Sequence, residues 1–229
     1  MVIGNGMVAR RFKEYANDDR FLIFASGVSN SKTTDVEAYN REKQLLEQTI
    51  MSNPGKIIVY FSTCSIYDPS ENNSIYVRHK QALENYIITS GADYYIFRTA
   101  NLVGPSGNPS NIFTFFLNSI KHNIPFTVWA NATRNLIDVD DFYDIVHNIL
   151  NSNMYLNSII NIANPRSYAV PYIVESMENY LGKRALYDTI DKGADFDIDT
   201  TQIQPVIEKL NISFDDAYLY RLLKKYHEL

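Results

Sequence analysis

Short apolar runs alternate along this chain with longer stretches in which apolar residues recur every three or four positions. FLIFAS (21–26), KIIVYFST (56–63), ADYYIFRTAN (92–101) and SIINIAN (158–164) have the length and near-continuous hydrophobicity of buried strands. A very short apolar run, Met1 to Ile3, leads into a glycine turn. Between these runs, MVARRFKEYA, a segment starting near Thr34, SIYVRHKQALENYIITSG and DDFYDIVHNILNS carry helical spacing. Gly91 closes the third of these. NIFTFFLNSIKHN and VPYIVESMENYLGK read as further helices, IPFTVW and RNLIDV as short strands, and two more helical patterns fill the C-terminal third. Strands apolar on both faces, separated by amphipathic helices, predict an α/β fold with a doubly wound parallel sheet. Such sheets bind ligands at the carboxyl ends of their strands.

Composition narrows the classes. At 229 residues and 45% apolar content the chain can bury one good core and a smaller lobe. The net charge is −5 and the Lys and Arg residues are scattered, which speaks against nucleic acid as a partner. A single Cys excludes an intrachain disulfide framework and fits a reducing, cytoplasmic setting. No apolar run approaches the ~20 residues of a membrane span, and no signal-peptide pattern is present.

The first candidate site is VIGNGMVA, a G-x-G-x-x-A turn at Gly4, Gly6 and Ala9 between a strand and a helix. The first Gly permits a tight turn, the second lets backbone approach a pyrophosphate, and the small third residue lets helix pack on strand. This is the pattern of a Rossmann-like dinucleotide site. An acidic residue ordinarily ends the next strand and holds the adenosine ribose. Here that strand ends Ala25-Ser26-Gly27. The cofactor is then NADP(H), or its ribose is held otherwise, or binding has been lost.

The second is Tyr76 and Lys80, four apart on a predicted helix and so on one face. A free Tyr has a pKa near ~10 and is a poor acid/base at neutral pH. A neighbouring ammonium favours the phenolate. Thr63, at the end of a neighbouring strand, can hydrogen-bond a reacting oxygen. Together they can move a proton on or off a carbinol oxygen while a nicotinamide moves the hydride. Taken alone the spacing is common in a chain with 17 Tyr; the order of glycine turn, strand ending in Ser-Thr, then Y-x-x-x-K is more specific.

Over most of its first 165 residues the chain resembles the extended short-chain dehydrogenase/reductases, in their nucleotide-sugar epimerase/dehydratase branch. VIGNGMVA resembles the glycine turn and FASGVS the fourth strand and its loop. FSTCSIYD resembles S-S/T-x-x-V-Y-G, YVRHK holds the Tyr and Lys, FRTANLVGP resembles R-x-x-N-x-x-G-P, and TRNLIDVDD resembles R-D-x-I-x-V-x-D. The resemblance implies NAD or NADP held by Gly4, Asn5, Gly6, Met7, Val8, Ala25, Ser26, Gly27, Tyr76 and Lys80. It implies catalysis by Tyr76, Lys80 and Thr63, and a nucleotide-diphosphate sugar held by Asn101 and Arg134. It places the cofactor core at 1–105 and 135–165, and a small substrate-binding lobe at 106–134 and 166–229. A homodimer through the helices Thr34 to Ile50 and Ile75 to Thr89 is a further expectation. If FASGVS is the fourth strand, the second and third strands with their helices are missing, and with them the usual adenosine pocket.

Cys64-Ser65 stands where dehydration in this family needs an acidic pair, so a 4-epimerase or 4-keto reductase is expected. The rivals are a catalytically weak cofactor-sensing or scaffold protein and a reductase of small carbonyl compounds. Cys64 reads as a small buried residue, His79 as an exposed helix residue and Trp129 as core. Asp138, Asp140 and Asp141 read as helix N-terminal charge rather than a metal cluster, and the His residues have no metal-ligand spacing.

Overall fold

The computed structural model describes residues 1–28, 30–105 and 111–228. Its elements are β1 (Val2–Ile3), α1 (Met7–Arg11), β2 (Phe21–Phe24), α2 (Val36–Met51), β3 (Ile57–Thr63), α3 (Ile75–Thr89), β4 (Tyr94–Thr99), β5 (Asn101–Val103), α4 (Ile112–Lys121) and β6 (Phe126–Trp129). They continue with β7 (Thr133–Arg134), β8 (Leu136–Asp138), α5 (Val139–Ser152), β9 (Ser158–Ile162), β10 (Tyr168–Ala169), α6 (Val170–Leu181), β11 (Tyr187–Ile190), α7 (Gln204–Leu210) and α8 (Tyr218–Tyr226). The first five residues expected of the lobe, 106–110, lie outside the described residues, as does Ser29.

The central sheet is parallel, in the order β1-β2-β3-β4-β9. Its side chains alternate between two cores. Phe21, Ile23, Val59, Phe61, Tyr95 and Phe97 face one side, with Phe142 and Ile149 of α5. Leu22, Phe24, Ile58, Tyr60 and Ile96 face the other, with Leu46 of α2 and Leu83 and Ile87 of α3. Burial of both faces explains the near-continuous apolar runs.

The two first crossovers step the same way across the sheet but land on opposite faces. Phe12 and Tyr15, just beyond α1, pack in the core shared with α5, whereas α2 packs in the other. Two such crossovers have opposite hands, and nearly all βαβ units share one hand. The chain thus passes from β1 to β2 without the strands that would let α1 return on the usual side. Among the described residues no strand pairs with the outer edge of β1.

The segment expected as one strand over 92–101 breaks at Ala100. β4 stays in the sheet, and β5 leaves it to pair with β8. The helix expected over MVARRFKEYA ends at Arg11 and continues as a 3₁₀ turn, Lys13–Asn17. A further core, outside the sheet, joins Phe113, Phe116 and Leu117 of α4, Phe126 of β6, Ile173 and Met177 of α6, and Leu219 and Leu222 of α8. β11 pairs with β6 in parallel there. α8 is pinned to the end of β8: Tyr226 Oη donates to Asp138 (2.8 Å), and Lys225 Nζ donates to Asp138 (2.7 Å) and Asp140 (2.8 Å). Among the described residues no helix is long and apolar enough to cross a membrane.

Candidate active site

Gly4 ends β1 with φ +124°, and a Cβ there would stand 2.4 Å from the Ala25 carbonyl oxygen. The turn therefore sets Gly4 against Ala25 and Ser26 at the carboxyl end of β2. Gly6 caps α1, and a Cβ on it would meet nothing within 4 Å. Asn5 is exposed and its carbonyl accepts from Arg10 (3.2 Å); Met7 and Val8 open α1 and pack on the α5 side. These residues, predicted as one cofactor surface, lie along the ends of two adjacent strands.

β3 delivers Thr63, which is buried. Its Oγ1 accepts from the Ser65 backbone N–H at 3.0 Å and caps a 3₁₀ turn, Cys64–Tyr67. Its own O–H has no partner among the described residues. Ser62, one residue earlier, donates to Glu84 (2.5 Å), which also accepts from both ends of the Arg98 guanidinium (3.0 and 2.7 Å). Arg98 donates to Tyr67 Oη (2.9 Å), and Tyr67 donates to Asn161 (3.0 Å). This network ties α3 to the ends of β3, β4 and β9, so the strand end carrying Thr63 is fixed. Cys64 is buried there, donates to the Arg98 carbonyl (3.2 Å), and burial pushes its thiol up to about 12.

α3 carries Tyr76 in its first turn, half-buried, and Lys80 one turn on. Lys80 is not solvated. Its side chain is 5% exposed and its Nζ lies 5.9 Å from the centre of the Tyr76 ring and 5.0 Å from that of Tyr60. The structure places beside it a residue that sequence reasoning missed. Glu42 of α2, its side chain 2% exposed, accepts from Lys80 Nζ at 2.8 Å. Glu42 also accepts from the Val28 backbone N–H (2.8 Å) and from Tyr60 Oη (3.3 Å). Burial opposes both charges. The Lys80 ammonium and the hydrogen bonds outweigh it at Glu42 and hold its carboxyl down to about 2. Around Lys80 the Tyr60 phenol and the Glu42 carboxylate outweigh burial and keep the ammonium above the ordinary lysine range.

His79, expected as an exposed helix residue, is instead tucked between α2 and α3. Its side chain is 10% exposed, its ring packs on Tyr39 (4.8 Å between centres), and its Nε2 lies 3.2 Å from Glu42. The signal for Glu42 was available: it falls on the buried stripe of α2, between Tyr39 and Leu46.

Asn101 and Arg134 come from β5 and β7. Asn101 Nδ2 donates to the Asn135 carbonyl (2.9 Å). Arg134 Nη1 donates to the Thr133 carbonyl (2.6 Å) and lies 3.7 Å from Asp68, a buried residue of the loop after Thr63. The loop between Thr63 and Tyr76 therefore reaches the strand of Arg134. Trp129 is half-buried beside the core outside the sheet, with Lys192 Nζ 4.3 Å over its ring. Asp138 caps α5 by accepting from the Asp140 N–H (2.8 Å), and Asp141 accepts from Tyr218 (2.6 Å).

Residues 22–163 match the family model described as NAD dependent epimerase/dehydratase family. The chain belongs to that family. Among solved structures it is similar to UDP-glucuronic acid 4-epimerase from Bacillus cereus in complex with UDP-glucuronic acid and NAD. The identity is 19%, the TM-score 0.72, and the match covers 94% of this chain and 76% of that one. It is also similar to Thermus thermophilus UDP-glucose 4-epimerase in complex with NAD (17% identity, TM-score 0.66, 87% and 74% covered). A third is RMD from Pseudomonas aeruginosa complexed with NADPH (14%, 0.62, 81% and 74%). These likenesses show the fold. No curated protein matches the sequence.

The residues of the site fit the pyrophosphate and nicotinamide-ribose end of a dinucleotide. The turn at Gly4 is fixed by the backbone of β2, Gly6 leaves open space above α1, and Lys80 has spent one of its three N–H donors on Glu42.

Proposed function

We propose that this family member is an NAD(P)-dependent enzyme that acts on a nucleotide-diphosphate sugar, as a 4-epimerase or a 4-keto reductase. The observation that carries the reading is Lys80: a buried, charged amine beneath the strand ends, beside the Tyr76 ring, with N–H donors unspent among the described residues. Gly4, Asn5, Gly6, Met7, Val8, Ala25, Ser26 and Gly27 would hold the cofactor, NAD or NADP, and Lys80 its nicotinamide ribose. When bound, the nicotinamide supplies the hydride acceptor or donor. Tyr76 would move the proton on or off the sugar's carbinol oxygen, and Thr63 would donate its free O–H to the same oxygen. Asn101 and Arg134 would hold the diphosphate, a guanidinium fork suiting that anion. Residues 106–134 and 166–229 would close over the sugar as the small lobe. Cys64 and Ser65 follow Thr63, so the acidic pair of a dehydratase is lacking at that place.

The test is titration with NAD+, NADH, NADP+ and NADPH while following the thermal midpoint. Ligand at 100 times its dissociation constant should add ~2.7 kcal/mol. Turnover of a UDP-sugar that is abolished by Tyr76→Phe supports the mechanism; unchanged turnover in that variant sinks it.

A second reading has a specific observation behind it. The outer edge of β1 carries no further strand among the described residues, where the resemblance puts the adenosine pocket. A fold that binds cofactor weakly and does not turn over would show no midpoint shift with any of the four nucleotides.

A further inference from the structure

We infer that Glu42 is the positioning residue of this site, holding Lys80 as a fixed ammonium beside Tyr76 and beneath Gly27. The two form with Tyr76 a unit drawn from α2 and α3, 38 residues apart in sequence between Glu42 and Lys80.

Glu42 is held independently of Lys80. Its Oε2 accepts from the Val28 N–H at 2.8 Å and lies 3.2 Å from His79 Nε2, and its Oε1 accepts from Tyr60 Oη. The carboxylate therefore has fixed partners besides the lysine, among them the loop that follows β2. The groups facing Lys80 are Glu42 from α2, Tyr60 from β3, and Tyr76 from its own helix, with His79 at the other Glu42 oxygen and Tyr39 of α2 close to all of them. Glu42 is the only carboxylate within ion-pair distance among the described residues. A lysine this buried with no counter-ion gives up its proton, its pKa falling by several units. Glu42 prevents that.

The consequence is chemical. A lysine that titrated near neutrality would lose its charge beside Tyr76 and one donor toward a ribose hydroxyl. Glu42 makes both independent of pH across the working range. The ribose part of this rests on the cofactor reading above; the charge state of Lys80 does not.

The test uses the full chain labelled with ¹³C at lysine Cε, the Lys80 resonance being assigned by Lys80→Arg, and follows its titration by NMR. In the wild type the resonance stays in its ammonium position up to about pH 10. In Glu42→Gln the midpoint is expected at least about two units lower, with Glu42→Asp between the two. NADH affinity should then be flat with pH in the wild type. In Glu42→Gln it should fall at least about tenfold as pH rises through the new midpoint. If Glu42→Gln does not fold, Glu42→Asp decides, because it keeps the charge but withdraws it by one methylene. A Lys80 midpoint unchanged in the folded variant overturns the inference and leaves an ordinary structural ion pair. Failure of the wild type to bind NADH counts against the cofactor reading, and the Lys80 titration still judges Glu42.

Discussion

A Cβ placed on Gly27 would stand 2.8 Å from Lys80 Nζ and 3.2 Å from Glu42 Oε1. Gly27 is needed here for space, not for backbone conformation. The lysine tip could ordinarily swing aside, but its carboxylate partner is anchored by the Val28 N–H. Gly27→Ala is therefore expected to cost about 1–3 kcal/mol in urea unfolding and to weaken NAD(H) binding by parting Lys80 from Glu42. A variant of wild-type stability and affinity would show that the space is not constrained.

The two glycines of the first turn should separate folding from binding. Gly4 combines φ +124° with a Cβ position 2.4 Å from backbone, which cannot yield. Gly4→Ala is expected to lose at least ~2 kcal/mol. Gly6 has ordinary φ and open space. Gly6→Ala should cost no more than about 1 kcal/mol, as an N-cap change, yet should weaken cofactor binding measured by calorimetry. Equal effects on stability at both positions would contradict the geometry.

Acid should weaken the fold through Glu42. Its folded-state pKa lies below the ordinary 4.5, at about 2. The stabilisation is then fully present above about pH 4.5 and is lost as pH falls toward about 2. The loss is on the order of 3 kcal/mol. Lys80 works at the other end: its raised pKa makes a contribution present below 10.5 and lost as pH rises through the folded value. The check is denaturant unfolding of wild type and Glu42→Gln across acid pH. The wild type should lose stability more steeply, and parallel curves would remove Glu42 from the account. At neutral pH Glu42→Gln itself should cost about 3–5 kcal/mol by leaving Lys80 unpaired.

The sheet was legible because both its faces are buried: KIIVYFST at 56–63 became β3 at Ile57–Thr63, with Thr63 at its end. Its neighbours were less so. β11 is exposed along its whole length, so no apolar periodicity announced its pairing with β6. The break at Ala100 could not be read from ADYYIFRTAN, because β5 is drawn away by β8, more than thirty residues on. Glu42 escaped for a related reason. An acid on the apolar stripe of α2 is visible, but its meaning lies in Lys80 and Val28, which the fold alone brings to it. His79 was misjudged because its shelter comes from Tyr39 on that same helix.

Arg134 and Asp68 offer a test of the substrate end. Their side chains are 3.7 Å apart and only 20% and 6% exposed, so loss of the arginine leaves a buried carboxylate short of its cation and should cost about 1–3 kcal/mol of stability. Asp68 has other work, since its Oδ1 accepts from the Ser70 backbone N–H at 2.9 Å. The Arg134 guanidinium, held through Nη1 on the Thr133 carbonyl (2.6 Å), has further N–H donors for a diphosphate. Arg134→Ala is expected to lower the thermal midpoint by several degrees. It should also weaken UDP binding by about tenfold or more, the worth of one or two charge-assisted hydrogen bonds. Isothermal titration with UDP, alone and with the nicotinamide nucleotide present, measures this. UDP affinity unchanged by Arg134→Ala would remove Arg134 from the substrate site and turn the reading toward a reductase of small carbonyl compounds, whose substrate carries no diphosphate for a guanidinium to hold.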